Sequence, residues 1–166
     1  MSKSISIAVI LATLTCVVAA VWLLGRSSES DVYLAVLSPY ANSSIVLASS
    51  PSTCGIKPGS IAGVPSNLVS SFLAANAPGS PSISLSALNA HFALANSAKL
   101  NRFIGVGVSP SVLVGGHDLV RLSRVGFNSN RSEALFCAEG QDGGLFYVRM
   151  QNGHWQLVKL VPTWVS

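Results

Sequence analysis

The chain has 166 residues, 49% of them hydrophobic and only 10% charged, with a formal net charge of +4. That length suits one domain, and so apolar a composition excludes disorder as the organising theme. Past Arg26 the chain carries eight Lys or Arg against six Asp or Glu, a balance too even, and too scattered, for a nucleic-acid footprint.

A mean hydropathy of +0.53 would suit a polytopic membrane protein, but it averages one N-terminal block with a remainder broken by turn residues. Residues 5–24 carry no charge and lie between Lys3 and Arg26. At about 1.5 Å per residue, such a helix matches the roughly 30 Å hydrocarbon core of a bilayer. Val18-Ala19-Ala20 offers a signal-peptidase site, yet Val21, Trp22, Leu23 and Leu24 carry the apolar run past it. The expectation is therefore an N-terminal transmembrane anchor over 1–26, a tether over 27–30, and a single domain over 31–166 outside the cytoplasm. A cleaved signal, leaving the domain secreted or periplasmic, is the alternative. The outward orientation rests on Glu29 and Asp31 following Arg26.

Beyond the tether, residues 31–40 permit a short helix or a strand, with a helix starting near Asp31 preferred, and 45–48 predict a buried strand. The stretch 49–66, with Pro51, Gly55, Pro58, Gly59, Gly63 and Pro65, reads as a long loop. Residues 65–77 predict a helix with Leu68, Val69, Phe72 and Leu73 on one stripe, stopped by Pro78-Gly79. Residues 84–95 fit no single period, and 97–104 predict a further turn or two of helix closed by Gly105.

The C-terminal half alternates strand-length apolar runs with turns. Strands are expected over 119–127, 133–139, 145–151 and 154–161. Asn152-Gly153 marks a tight type I′ hairpin, because both central positions need positive φ. The predicted fold class is α+β: two or three short helices packed on one face of a C-terminal four-stranded antiparallel meander, preceded by one transmembrane helix.

Leu122-Ser123-Arg124-Val125-Gly126-Phe127-Asn128, then Ala134-Leu135-Phe136, Asn152-Gly153-His154-Trp155 and Trp164-Val165-Ser166 together resemble a group of uncharacterised bacterial secreted or membrane-tethered proteins with an LSRVGFN…NGxWxV…W.S ending. The resemblance implies a fold and a compartment and transfers no catalytic residue. The linker 140–144 lacks the cysteines that some of that group carry there.

Cys54 and Cys137 are the two thiols of the soluble part; they either pair, closing a loop of about 80 residues, or sit as small buried hydrophobes. Neither matches a zinc spacing, so no metal and no cofactor is expected. An enzyme would need a base with a positioned partner, and the histidines are His91, His117 and His154. No GxSxG or HExxH frame accompanies them, and His117 and Asp118, adjacent on a strand, would point to opposite faces. The expectation is a non-catalytic binding or interaction module of the cell envelope, held to the membrane through 5–24 and acting on a protein or envelope partner through a sheet face or edge. The alternatives are a small-ligand carrier with an apolar cleft between sheet and helices, or a hydrolase using His117 or His91. Candidate binding residues are His91, His117, Trp155 and Trp164, although the area of Trp155 and Trp164 also suits closing the end of a small core.

Overall fold

The computed structural model describes residues 28–41, 45–49, 52–59, 61–94, 118–140 and 143–164. The apolar segment 5–24, the helix expected over 97–104 and His117 lie outside the described residues. Among the described residues no helix is long and apolar enough to cross a membrane.

Helix α1 spans Glu29–Leu37 and continues as a 3-10 turn over Ser38–Tyr40. A reciprocal capping box starts it: Ser28 Oγ accepts from the Asp31 N–H, and Asp31 returns a carboxylate oxygen to the Ser28 N–H at 2.7 Å. Helix α2 spans Ser66–Ala75, opened by Pro65 and burying Leu68, Val69 and Phe72. The residues between α2 and the next strand form a 3-10 turn over Ser86–Leu88.

The strands are β1 (Ile45–Ser49), β2 (Ala93–Leu94), β3 (Asp118–Leu122), β4 (Gly126–Phe127), β5 (Glu133–Glu139), β6 (Gly143–Gln151) and β7 (His154–Trp164). They form one sheet in the order β2-β1-β3-β5-β6-β7, with β4 also paired to β5. The fold is α+β, but the expected four-stranded meander is only part of a mixed sheet of seven strands. β1 lies between β2 and β3 and is parallel to both, while the rest of the sheet is antiparallel. The single strand expected over 119–127 is broken by Ser123, Arg124 and Val125 into β3 and β4, both of which pair with β5.

The helices also do not share one face. Ala134, Phe136 and Ala138 of β5 join α1 residues Val32, Tyr33, Val36 and Leu37 in one core, together with Leu85, Leu88 and Phe92. Leu135 and Cys137, of the other parity, join α2 residues Leu68, Val69 and Phe72, with Leu145 and Tyr147 of β6. The molecule is thus a three-layer arrangement in which β5, fully buried from Ala134 to Ala138, is the central plank. A strand covered on both faces reads as a continuous apolar run instead of an alternation.

Cys54 and Cys137 form a disulfide on the α2 face, with Cα atoms 6.1 Å apart. It pins the loop before α2 to the middle of β5. Glu139 lies beside the two sulfurs, which are bonded to each other and so are not thiolate ligands.

At the other end of β5, Glu133 accepts from the Tyr147 hydroxyl at 2.6 Å, from Arg149 Nε at 2.9 Å and from Asn128 Nδ2 at 3.2 Å. These hydrogen bonds, led by that from Tyr147, hold the Glu133 carboxyl below its ordinary value of 4.5, partly offset by burial. A carboxylate with a depressed folded-state pKa contributes stability above its unfolded-state value and loses it as pH falls through the folded-state value. Glu133→Gln is therefore expected to lower stability at neutral pH and to flatten its decline below about pH 4.5. Urea midpoints of both proteins across the acid range check this; parallel curves would show that Glu133 is not the group responsible.

Candidate functional site

Each residue of the 122–128 stretch has a structural task. Leu122 and Val125 enter the α1-side core. Ser123, 1% exposed, accepts from the Cys137 N–H through its hydroxyl at 2.8 Å, and its carbonyl accepts from the Tyr33 hydroxyl at 2.5 Å. Burial, with the Glu29 carboxylate nearby, pushes the Tyr33 hydroxyl far above its ordinary pKa and keeps it a donor. Arg124 pairs with Glu29 of α1 at 3.0 Å. Its backbone is clamped by the buried Asn76, whose Oδ1 accepts from the Arg124 N–H at 2.8 Å and whose Nδ2 donates to the Arg124 carbonyl at 2.9 Å. Gly126 lies directly against the backbone of Phe72 in α2. Asn128 closes the following turn by accepting from the Ser132 and Glu133 N–H groups. This corner is a joint between both helices and the sheet, and its polar groups are engaged within the fold.

The two described histidines, His91 and His154, do not converge. His91 is exposed in the turn before β2, and His154 is exposed at the start of β7. Trp155 is buried, its ring 6.1 Å from that of Phe127, and Phe127 in turn carries the Arg131 guanidinium 3.7 Å above its face. Trp164 ends β7 opposite Gly143.

Two features remain that could meet another molecule. The first is β7 itself. It is eleven residues long and forms one edge of the sheet, pairing only with β6 among the described strands, whereas the opposite edge, β2, has two residues. Leu157, Val158 and Leu160 are 49%, 43% and 48% exposed, and Tyr40 is the only other large hydrophobic so exposed among the described residues. The register explains their arrangement. Tyr147 pairs with Lys159 but Val148 with Leu157, so Val158 is a bulge residue and Leu157 and Leu160 come to lie on the same face. Opposite them, Val148 and Phe146 belong to the α1-side core or pack against it. Leu160 lies over Gly144, where a Cβ would come within 2.6 Å of its Cδ1. Lys159, the one charge on the strand, is turned away and donates to the Ala62 carbonyl at 2.5 Å.

The second feature is a cleft of about 440 Å³ between α1 and the β6–β7 hairpin. Asp31, Leu34 and Ala35, at i, i+3 and i+4, form its helical wall; Met150, Gly153, His154 and Trp155 form the other. Asn152 and Gly153, with φ of 51° and 79°, make the tight reversal that brings His154 and Trp155 to this wall. Trp155 Nε1 is buried with no hydrogen-bond partner.

Of the residues singled out in the sequence, the structure thus places Trp155 in a cleft wall beside His154 and leaves His91 elsewhere. Asp31, Leu34 and Ala35 gave no signal beyond helical spacing. The strand over Leu157-Val158-Lys159-Leu160-Val161 was expected, but nothing in that run marks it as the edge. Comparison with protein-family models, curated proteins and solved structures finds no match.

Proposed function

We propose that this protein is a membrane-tethered, non-catalytic interaction module of the cell envelope, and that β7 is the edge to which an extended segment of a partner polypeptide adds as a further strand. The carrying observation is the long outer edge with Leu157, Val158 and Leu160 exposed along it. Natural sheets guard such edges with charges, prolines or covering elements, because an open apolar edge templates pairing. Here the strand's only lysine is drawn away to Ala62, and proline enters only at Pro162, near the end of the strand. Main-chain hydrogen bonds would supply affinity, and the two leucines on one face would select apolar residues in alternate positions of the partner.

An extracytoplasmic address is supported by the Cys54–Cys137 bridge, since such bonds persist in oxidising compartments. It is also supported by the uncharged stretch 5–24 and by the resemblance to secreted and tethered bacterial proteins noted above. His91, exposed in the turn before β2, gives no support to a hydrolase built on it.

A photoreactive side chain at Val158, introduced into the full-length protein in native membranes, tests this. The expected result is a crosslink to an extended segment of another polypeptide. Leu157→Lys with Leu160→Lys should weaken that crosslink by about tenfold or more, each leucine contributing about 1 kcal/mol of apolar burial, while leaving the melting temperature near that of the parent. Crosslinks to lipid or to a second copy alone, or a crosslink indifferent to both lysines, would overturn the reading.

A further inference from the structure

We propose that, once the Cys54–Cys137 bridge is opened, its two sulfurs and the Glu139 carboxylate bind one divalent cation of the zinc class, so that disulfide and metal are alternative occupants of one site. The site lies on the α2 side of the sheet and does not depend on the reading of β7.

One ligand atom from each of Cys54, Cys137 and Glu139 lies within 4.8 Å of the others. Zinc bonds sulfur at about 2.3 Å and carboxylate oxygen at about 2.0–2.2 Å, so its tetrahedral ligands stand roughly 3.6–3.8 Å apart. Parting the sulfurs to that distance asks only a small shift of the Cys54 loop. Cys137 and Glu139, at i and i+2 of β5, share a face, while Cys54 arrives from a distant loop, which is why the sequence shows no zinc spacing. Neither cysteine is positioned by the bridge alone. The Cys54 N–H donates to Ser52 Oγ at 3.1 Å, and φ values of 50° at Cys54 and 68° at Gly55 set a tight turn closed by the Ile56 N–H on the Thr53 carbonyl at 2.8 Å. Cys137 is fixed by Ser123, whose hydroxyl accepts from its N–H at 2.8 Å and whose N–H donates to its carbonyl at 3.0 Å.

Charge calls for the cation. A thiol reductant delivers two electrons and two protons to the bridge, becomes a disulfide itself, and leaves two thiols beside Glu139. The partners of that carboxylate are neutral, the Ser52 hydroxyl and the Cys137 sulfur, and among the described residues no Lys or Arg forms an ion pair with it. Cys54 and Cys137 are 6% and 0% exposed. Two thiolates and a carboxylate gathered out of water hold their charge only around a positive ion. The ion displaces the two thiol protons as it binds. Sulfur favours a soft metal and the carboxylate a harder one, and zinc accepts both. Ser52 orients Glu139 from outside the ligand set, and three protein ligands leave the fourth position to water. An oxidant of the disulfide class removes two electrons from the thiolates, re-forms the sulfur–sulfur bond and expels the ion.

The test uses the full-length chain with Cys16→Ser, so that Cys54 and Cys137 are its only cysteines, reduced by a water-soluble phosphine and titrated with cobalt(II) as a coloured stand-in for zinc. The reduced protein is expected to develop a sulfur-to-cobalt charge-transfer absorption that saturates at one ion per chain and is bleached by zinc, while the oxidised protein stays colourless. Zinc should also raise the unfolding midpoint of the reduced protein and leave that of the oxidised protein unchanged. Glu139→Gln keeps an oxygen for the Ser52 hydroxyl and both sulfurs, so the absorption should persist with cobalt bound at least about tenfold more weakly. Absence of either the absorption or the zinc-dependent rise in midpoint would overturn the proposal. Glu139→Gln with unchanged cobalt affinity, or zinc that stabilises the oxidised protein equally, would do the same.

Discussion

Gly126→Ala is expected to destabilise the protein by about 3 kcal/mol or more, at the upper end of what overpacking costs. A methyl group there would sit 2.3 Å from both the Cα and the N of Phe72, and 2.8 Å from its Cβ. The nearest neighbours are backbone atoms, so no rotamer change relieves the clash; α2 must lift from β4. It is not free to do so. Ser71 donates to the Phe127 carbonyl at 2.7 Å, and Asn76 grips both sides of the Arg124 peptide. Lifting α2 would also withdraw Phe72 and Leu68 from the core they share with Leu135 and Cys137. Urea unfolding of Gly126→Ala beside Gly79→Ala separates the causes. Gly79, at φ +85°, has open space around its missing side chain, so alanine there meets only the left-handed backbone penalty of about 1–2 kcal/mol. Equal losses in the two variants would show that α2 and β4 do not approach as closely as described.

Opening the Cys54–Cys137 bridge should cost still more. The two residues are 83 apart in sequence, and releasing a loop of that size returns roughly 4 to 5 kcal/mol of chain entropy to the unfolded state. Treatment with reductant and the double replacement of both cysteines by alanine open the same loop, so the two should bring the unfolding midpoint down to similar values. A midpoint indifferent to reductant in an oxidised preparation would show that the bridge does not govern stability. The loss falls on the α2 side of the sheet, because Cys137 lies at the centre of β5 and Cys54 anchors the loop that leads to Val64 and α2.

The elements legible in the sequence were those whose pattern is local. Asp31 near a helix start, the Leu68–Phe72 stripe, the strands around Phe136 and Tyr147, and the Asn152-Gly153 reversal each need only a few neighbouring residues to specify them. The parallel pairing of β1 with β3 was not legible, because Val46 meets Leu119 across more than seventy residues and nothing local favours that partner over another. The helices were expected on one face, although the unbroken run from Ala134 to Ala138 already carried the signal of a strand covered on both. The break at Ser123 was hidden because Leu122 and Val125 keep an apolar pattern across it, while the cause of the break, the polar clamp from Asn76 and Glu29, comes from distant segments. The cleft was legible only in part. Trp155 stood out, but its place across the cleft wall from Asp31 and Leu34 arises from packing between the first helix and the last hairpin.

The joint at Ser123 also has a mechanical meaning. A helix end ordinarily frays when pulled, one residue at a time, but the first two turns of α1 are cross-tied: Glu29 to Arg124, and Tyr33 to the Ser123 carbonyl. Ser123 is bonded in turn to Cys137, and Cys137 is joined covalently to Cys54. Tension arriving along the chain at Ser28 therefore passes through α1 into the middle of the sheet and on to the far layer. To yield, α1 must shear away as a block, so the chain entering at Ser28 meets a stiff end-stop.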